Sequence, residues 1–244
     1  MINIYEAKPY AQQTKKHITN TMEQSPVGFA GFAERSDFET YLDWIIDNNR
    51  EIKPFNGEEA RSTILSAIET IRVDDTELHV FVFPSNKEFI EEDMNGVAGR
   101  SIYQNTICLA LAGNVEQDTI RNVLTHEYAH AVMHRYHDMS ASQDSMLAFE
   151  GVAEHFKEAM VDSDHSPWVN DMPNHEVRQH YESLDGDESY QELFHGTGSL
   201  ERWLGYSLGY HLVKKAVTQR KDWKELFKTP PEDLLKLPEA KHTE

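Results

Sequence analysis

The string His-Glu-Tyr-Ala-His at residues 126–130 requires a helix if its two histidines are to act together. Four residues of an α-helix turn through about 400° and rise by about 6 Å, so His126 and His130 project from one face on successive turns. Apolar residues flank the string, namely Ile120, Val123, Leu124, Ala131 and Val132. The segment is therefore predicted to be a buried helix whose two imidazoles can share one metal ion.

Zinc suits imidazole nitrogen, and a catalytic zinc site has three protein ligands and leaves a fourth position for water. Glu127 flanks the same helix face and can accept a proton from a water that the metal activates. The motif is a general signature of metalloproteases. The alternative interpretation is a helix with ordinary hydrogen-bonded histidines.

The third ligand is sought downstream of the motif. A third histidine six residues after the second, with a glycine three residues after it, is excluded because Tyr136 and Met133 occupy those positions. His134 and His137 continue the helix and rise away from the ion, so they are interpreted as surface or outer residues.

Glu150 and Glu154 form the better candidate pair, one helical turn apart. Two carboxylates on one face repel each other unless a cation lies between them. One of them would bind the metal and the other would orient a ligating imidazole. Gly151 and Ala153 are small and allow close helix packing, whereas a solvated acidic helix face is the alternative.

At this point the sequence resembles the gluzincin clan of metallopeptidases, the group of thermolysin. In that clan a later helix supplies a glutamate ligand, and a carboxylate four residues further accepts a hydrogen bond from the first ligating histidine. Glu150 lies twenty residues after His130. The resemblance implies a Zn²⁺ ion held by His126, His130 and Glu150. It also implies that Glu154 accepts a hydrogen bond from His126.

Two further strings, Glu-Gly-Val-Ala-Glu at residues 150–154 and Gly-Tyr-Ser-Leu-Gly-Tyr at residues 205–210, resemble a bacterial family described as predicted zinc-dependent proteases. The resemblance extends over residues 78–216. It implies a tyrosine or histidine that stabilises the oxyanion, for which Tyr206 and Tyr210 are favoured. His211 and His195 stay as alternatives, and close helix packing alone would also explain the glycines.

The same resemblance implies that a substrate peptide lies extended along an edge strand, and residues 107–111 are the candidate strand. A plain core strand explains this apolar run equally well.

An excess of acidic residues, 42 Asp and Glu against 23 Lys and Arg, gives a formal charge of −19. This charge argues against nucleic acid or an anionic membrane as the partner and leaves a peptide or protein substrate. Neither a signal peptide nor a membrane-spanning run is recognised, and a cytoplasmic location is expected. Cys108 is the single cysteine, is expected to be buried and cannot form an internal disulfide.

The secondary-structure pattern predicts helices, then a small sheet, then helices, which is an α+β fold. Residues 1 to about 70 are predicted to be mainly helical, and Gly96 and Gly99 mark a loop or hairpin. Strands are predicted at residues 78–83 and 107–111, helices from 117, over 145–161 and over 199–220, and loops over 162–198. With the family resemblance, the expectation is a zincin-like fold, with a small mixed sheet on the active-site helix and further helices on both sides.

Three parts of the chain are expected: a mainly helical segment at 1–70, a zincin-like catalytic domain at 71–228 and a C-terminal tail at 229–244. The predicted function is a zinc-dependent metallopeptidase in which Glu127 is the general base. The alternatives are a catalytically silent metal-binding or regulatory protein on the same fold, and a peptidase kept latent by its own tail.

Overall fold

The computed structural model of the chain describes residues 1–6, 14–24, 32, 35–103, 105–163, 166–219 and 222–237. The chain divides into two compact units, Met1–Ala131 and Val132–Glu244. Each unit is built around its own group of buried apolar side chains.

The first unit contains a mixed sheet of four strands within the described residues, in the order β1-β2-β4-β3. Its strands are β1 (Ile2–Glu6), β2 (Leu78–Pro84), β3 (Val97–Tyr103) and β4 (Thr106–Leu111). β2 pairs in parallel with both β1 and β4, whereas β3 pairs antiparallel with β4. Every residue of β2 and β4 is buried, which explains their continuous apolar and β-branched sequence.

The helices of the first unit carry apolar stripes that pack into its core. They are α1 (Thr14–Gln24), α2 (Arg35–Ile45), α3 (Gly57–Ile71), α4 (Glu88–Glu92) and α5 (Gln117–Met133), of which α5 ends in the second unit. In α2, Phe38 and Leu42 recur with helical spacing and join Phe81 and Phe83 of β2 in one apolar cluster. The side chain of Asn56 caps α3 by accepting a hydrogen bond from the backbone of Glu59.

The second unit is helical over its described residues. After a short 3₁₀ turn at Met139–Ala141 it contains α6 (Gln143–Val161), α7 (Asn174–Ser183), α8 (Tyr190–His195), α9 (Leu204–Gln219), α10 (Trp223–Lys228) and α11 (Pro231–Leu234). α6 and α9 lie against each other where Gly151 meets Gly209. A Cβ atom on Gly151 would clash with the carbonyl oxygen of Gly209, and one on Gly209 would clash with that of Leu147. The predicted close packing at these small residues is confirmed.

We expect Gly209→Ala to destabilise the second unit, because the added methyl group meets a backbone carbonyl that cannot move away. Overpacking of this kind costs about 1–3 kcal/mol of unfolding free energy, occasionally more. Urea denaturation of the metal-free protein measures the loss. Gly57→Ala is the control, because its Cβ would meet only the movable carboxylate of Glu6; equal stability of the two variants would contradict the prediction.

The α+β fold with a small mixed sheet is confirmed, as are the strands predicted at residues 78–83 and 107–111. The described residues of the first 70 are mainly helical, as predicted, although they also include β1. The hairpin predicted at Gly96 and Gly99 is formed by β3 and β4, which pair antiparallel. The region 162–198, predicted to be loop-rich, also contains α7 and α8.

The division at residues 70 and 228 stays a prediction. Within the predicted tail, residues 231–234 form α11, and Leu235 and Leu237 pack against the apolar cluster of the second unit. Residues 238–244 lie outside the described part of the chain. Among the described helices, none combines the length and apolar character that a bilayer-spanning segment needs.

Candidate metal centre

The two histidines of the motif lie on α5 and point at each other. Their Nε2 atoms are 3.0 Å apart, and the ring planes meet at 75°. Tetrahedral ligands at zinc–nitrogen distances of 2.0–2.1 Å lie about 3.3 Å from each other. The pair is therefore already close to the separation at which both imidazoles bind one ion.

Tyr128 fixes the rotation of α5. It lies two residues after His126, about 200° around the helix, and its side chain is buried. Its hydroxyl accepts a hydrogen bond of 3.0 Å from the backbone N–H of Val73. Because this anchor holds the helix from another side, the histidine face has a defined direction within the first unit.

Glu127 is held against strand β3. Its Oε2 accepts a hydrogen bond of 2.5 Å from the backbone N–H of Ser101, and the residue is 9% exposed. β3 approaches this closely because residue 99 is glycine, where a Cβ would lie 2.5 Å from Cγ of Glu127. The carboxylate predicted to be the base therefore has a fixed orientation against β3.

Glu150 lies on α6 and is 4% exposed. Its Oε1 accepts a hydrogen bond of 3.1 Å from the hydroxyl of Tyr190, and that hydroxyl is 3.2 Å from the hydroxyl of Tyr206. Burial, and then the charge of Glu150, raise the pKa of Tyr190 well above its usual value, so Tyr190 is a neutral donor.

Glu154 is also buried, so a solvated acidic face of α6 is excluded as an explanation of the two carboxylates. Its Oε1 accepts hydrogen bonds of 2.5 Å from Nζ of Lys157 and from the backbone of Ser166, and its Oε2 accepts one of 3.0 Å from Oγ of Ser166. Lys157 in turn donates to Oγ of Ser166 at 2.9 Å. Three buried polar side chains thus satisfy one another within the second unit.

His126, His130 and Glu150 together could hold a metal ion. One potential ligand atom from each lies within 4.8 Å of the other two, and this is the one such group among the described residues. Two imidazoles and one carboxylate are the ligand set of many catalytic zinc sites, with one position left for water. The chemistry and spacing of these three side chains therefore fit zinc.

The candidate oxyanion residues lie in different surroundings. Tyr206 contacts Tyr190 as described above, whereas the hydroxyl of Tyr210 donates to Oε2 of Glu158 at 3.1 Å. The ring of Tyr210 stacks on His155, whose pKa falls to about 4 mainly through burial. The Nε2 atom of His211 is within hydrogen-bond distance of the backbone carbonyl oxygen of Asn170.

His195, the last alternative, has its ring 5.7 Å from that of Tyr190. Its pKa is lowered by burial first and by Arg202 second. His137, which was not predicted to be a ligand, has its Nε2 atom 3.1 Å from the carbonyl oxygen of Phe227.

The edge-strand prediction is corrected by the sheet order. Residues 107–111 belong to β4, which pairs with β2 on one side and β3 on the other. β3 is instead an edge of the sheet within the described residues. The apolar run of β4 reflects burial on both faces, whereas the edge strand contains Gly99, Arg100 and Ser101.

Four residues that contact Glu127, Glu150 or Glu154 were not singled out from the sequence: Ser101, Lys157, Ser166 and Tyr190. For Tyr190 a signal was present, because Ser189 and Glu192 have the spacing of a capping box that starts a helix. Both hydrogen bonds of that box form, and they place Tyr190 at the first position of α8. A bond from a backbone amide, as at Ser101, has no comparable sequence signal.

Residues 58–236 match the family described as predicted Zn-dependent protease (DUF2268). No curated protein and no solved structure matches the chain. The family match confirms the resemblance to predicted zinc-dependent proteases, and zinc dependence agrees with the group formed by His126, His130 and Glu150. Since the match covers well over half of the sequence, the chain belongs to this family of predicted zinc-dependent proteases.

Proposed function

We propose that the chain is a zinc-dependent metallopeptidase of the gluzincin type that hydrolyses peptide bonds. The observation that carries the proposal is the convergence of two imidazole nitrogens and one buried carboxylate within 4.8 Å, with Glu127 next to a ligand in sequence. Family membership supports the reaction class. The acidic composition supports a peptide or protein substrate over nucleic acid or an anionic membrane.

A bound zinc ion would polarise the scissile carbonyl and lower the pKa of a water molecule toward 7. Glu127 would accept the proton of the attacking water and then deliver it to the leaving amine. The hydrogen bond from Ser101 orients Glu127 through Oε2 for both transfers. His126, His130 and Glu150 would supply the ligands.

Strand β3 is the proposed docking edge for the substrate. The carbonyl of Gly96 accepts a hydrogen bond from Ala112, so Gly96 faces β4. Peptide groups alternate in direction along a strand, so the carbonyl of Val97 and the peptide groups of Gly99 point away from β4. The N–H of Val97 already donates to the carbonyl of Met94. An extended peptide paired with these groups would lie beside Glu127, which contacts the same strand at Ser101.

The metal content of the purified protein tests the proposal. We expect about one zinc per chain in the wild type and markedly less in Glu150→Ala, measured by mass spectrometry after reconstitution and desalting. Asp144→Ala is the matched control, because Asp144 lies on the same helix and also accepts a hydrogen bond from a tyrosine hydroxyl, that of Tyr181. A wild type that holds no zinc after reconstitution would refute the proposed function.

A further inference from the structure

Helix α6 presents three carboxylates that each accept a hydrogen bond from a tyrosine hydroxyl. The pairs are Asp144 with Tyr181 at 2.8 Å, Glu150 with Tyr190 at 3.1 Å and Glu158 with Tyr210 at 3.1 Å. At Glu150 the contact continues to a second hydroxyl, that of Tyr206, 3.2 Å from the hydroxyl of Tyr190. Glu150 is also the carboxylate in the group that could hold a metal ion.

The direction of these bonds follows from counting protons. A carboxylate only accepts, and a phenol has one proton to donate. Since Tyr190 gives its proton to Glu150, the contact between the two tyrosines requires Tyr206 to be the donor and Tyr190 the acceptor. The hydroxyls therefore form a directed chain from Tyr206 through Tyr190 to Glu150.

The rings that carry this chain are braced by one phenylalanine. Phe194 stacks on Tyr190, with ring centroids 4.4 Å apart, and meets Tyr206 edge-on at 4.8 Å. Phe194 itself lies against Gly205, where a Cβ would be 2.6 Å from the ring. The capping box of Ser189 and Glu192 fixes the start of α8, so the Tyr190 hydroxyl is held in place at Glu150.

We propose that Tyr190 is a positioning residue that holds the Glu150 carboxylate in the orientation for metal binding, and that Tyr206 acts through Tyr190. The inference rests on the proposed function, because it assigns Glu150 as a ligand. A carboxylate that gives one oxygen to a metal needs a partner for the other, and such partners set ligand orientation and affinity. In this arrangement the proton of Tyr206 is engaged with Tyr190, which argues against Tyr206 as the oxyanion donor.

The test compares the zinc affinities of Tyr190→Phe, Tyr206→Phe and the double variant by competition with a chromophoric chelator. We expect Tyr190→Phe to weaken zinc binding about 10–100-fold, which is the usual effect of losing a hydrogen-bond partner of a metal ligand. Tyr206→Phe should weaken it less, and the double variant should equal Tyr190→Phe, because the two hydroxyls act in series. The absorption spectrum of the cobalt-substituted protein should change most in Tyr190→Phe and in the double variant, and less in Tyr206→Phe.

Tyr181→Phe is the matched control, since it removes the tyrosine hydroxyl from Asp144 on the same helix. It should leave zinc affinity and the cobalt spectrum unchanged. Should Tyr190→Phe fail to fold by circular dichroism, Tyr206→Phe alone decides, since it too must weaken zinc binding if the chain of hydroxyls exists.

Two results would overturn the inference. One is a folded Tyr190→Phe protein with wild-type zinc affinity. The other is a folded Tyr206→Phe protein with wild-type zinc affinity; if that protein also loses kcat, Tyr206 returns to the oxyanion role. A wild type that binds zinc without peptidase activity would refute the proposed reaction alone, whereas a wild type that binds no zinc would refute both proposals.

Discussion

Glu127→Gln is expected to lower kcat/KM for peptide hydrolysis by about 10²–10⁴-fold, the usual contribution of a general base. The amide of glutamine cannot accept the proton of the attacking water. Its carbonyl oxygen can still accept the hydrogen bond from Ser101, so the side chain should keep its place against β3. The variant should therefore bind zinc with wild-type stoichiometry while it turns over slowly.

Cleavage of a quenched fluorescent peptide library, with zinc measured in the same samples, separates loss of the base from loss of the metal. Glu188→Gln is the control, because the Glu188 carboxylate also accepts backbone N–H groups, those of Asp185 and Gly186. It should retain wild-type activity. An unchanged rate in Glu127→Gln would refute the assigned role, and loss of zinc would show that the residue supports the metal site.

The helix of the metal motif could be predicted because its requirements are local. The four-residue spacing of His126 and His130 has a fixed meaning on a helix, and the apolar neighbours indicate burial. The same holds for β2 and β4, whose continuous apolar sequences reflect burial on both faces. Local spacing alone did not identify Glu150 as a ligand. The family resemblance was also needed, because it assigns the ligand role to a glutamate on a later helix.

Pairing between distant segments could not be predicted from the sequence. β1 joins β2 in parallel with Ile2 opposite Leu78, and no local signal connects residues so far apart. β3 contains Gly99 and Ser101, residue types that usually mark turns, yet it is a strand because β4 provides an antiparallel partner. The number of strands in the sheet and the identity of its edge strand therefore depend on tertiary contacts.

The burial of charged pairs could not be predicted from the sequence either. The strings Glu-His-Phe-Lys at residues 154–157 and Glu-Leu-Phe-Lys at residues 225–228 are nearly alike, and each forms an ion pair three residues apart. The side chains of Lys157 and Glu154 are 5% and 3% exposed, against 37% and 66% for Lys228 and Glu225. Only the packing around each helix distinguishes the two.

Lys157→Met is expected to lower the free energy of unfolding by about 3–5 kcal/mol, the usual result of breaking a buried ion pair from one side. Methionine fills much of the lysine volume, so the loss would come from the charge. Glu154 would keep its bonds to Ser166 but lose its buried cation. The measurement is urea denaturation of the protein in the presence of a chelator, so that metal binding does not contribute.

Lys228→Met is the matched control, because the pair of Lys228 and Glu225 has the same spacing in an exposed position, where solvent screens the charges. Its unfolding midpoint should stay close to that of the wild type. The double variant Glu154→Gln with Lys157→Met should recover much of the loss, because it leaves no uncompensated charge in the interior. Equal stability of Lys157→Met and Lys228→Met would contradict the prediction. It would mean that water reaches the pair of Lys157 and Glu154 in solution, so that burial of the pair does not hold the Glu154 side chain in place.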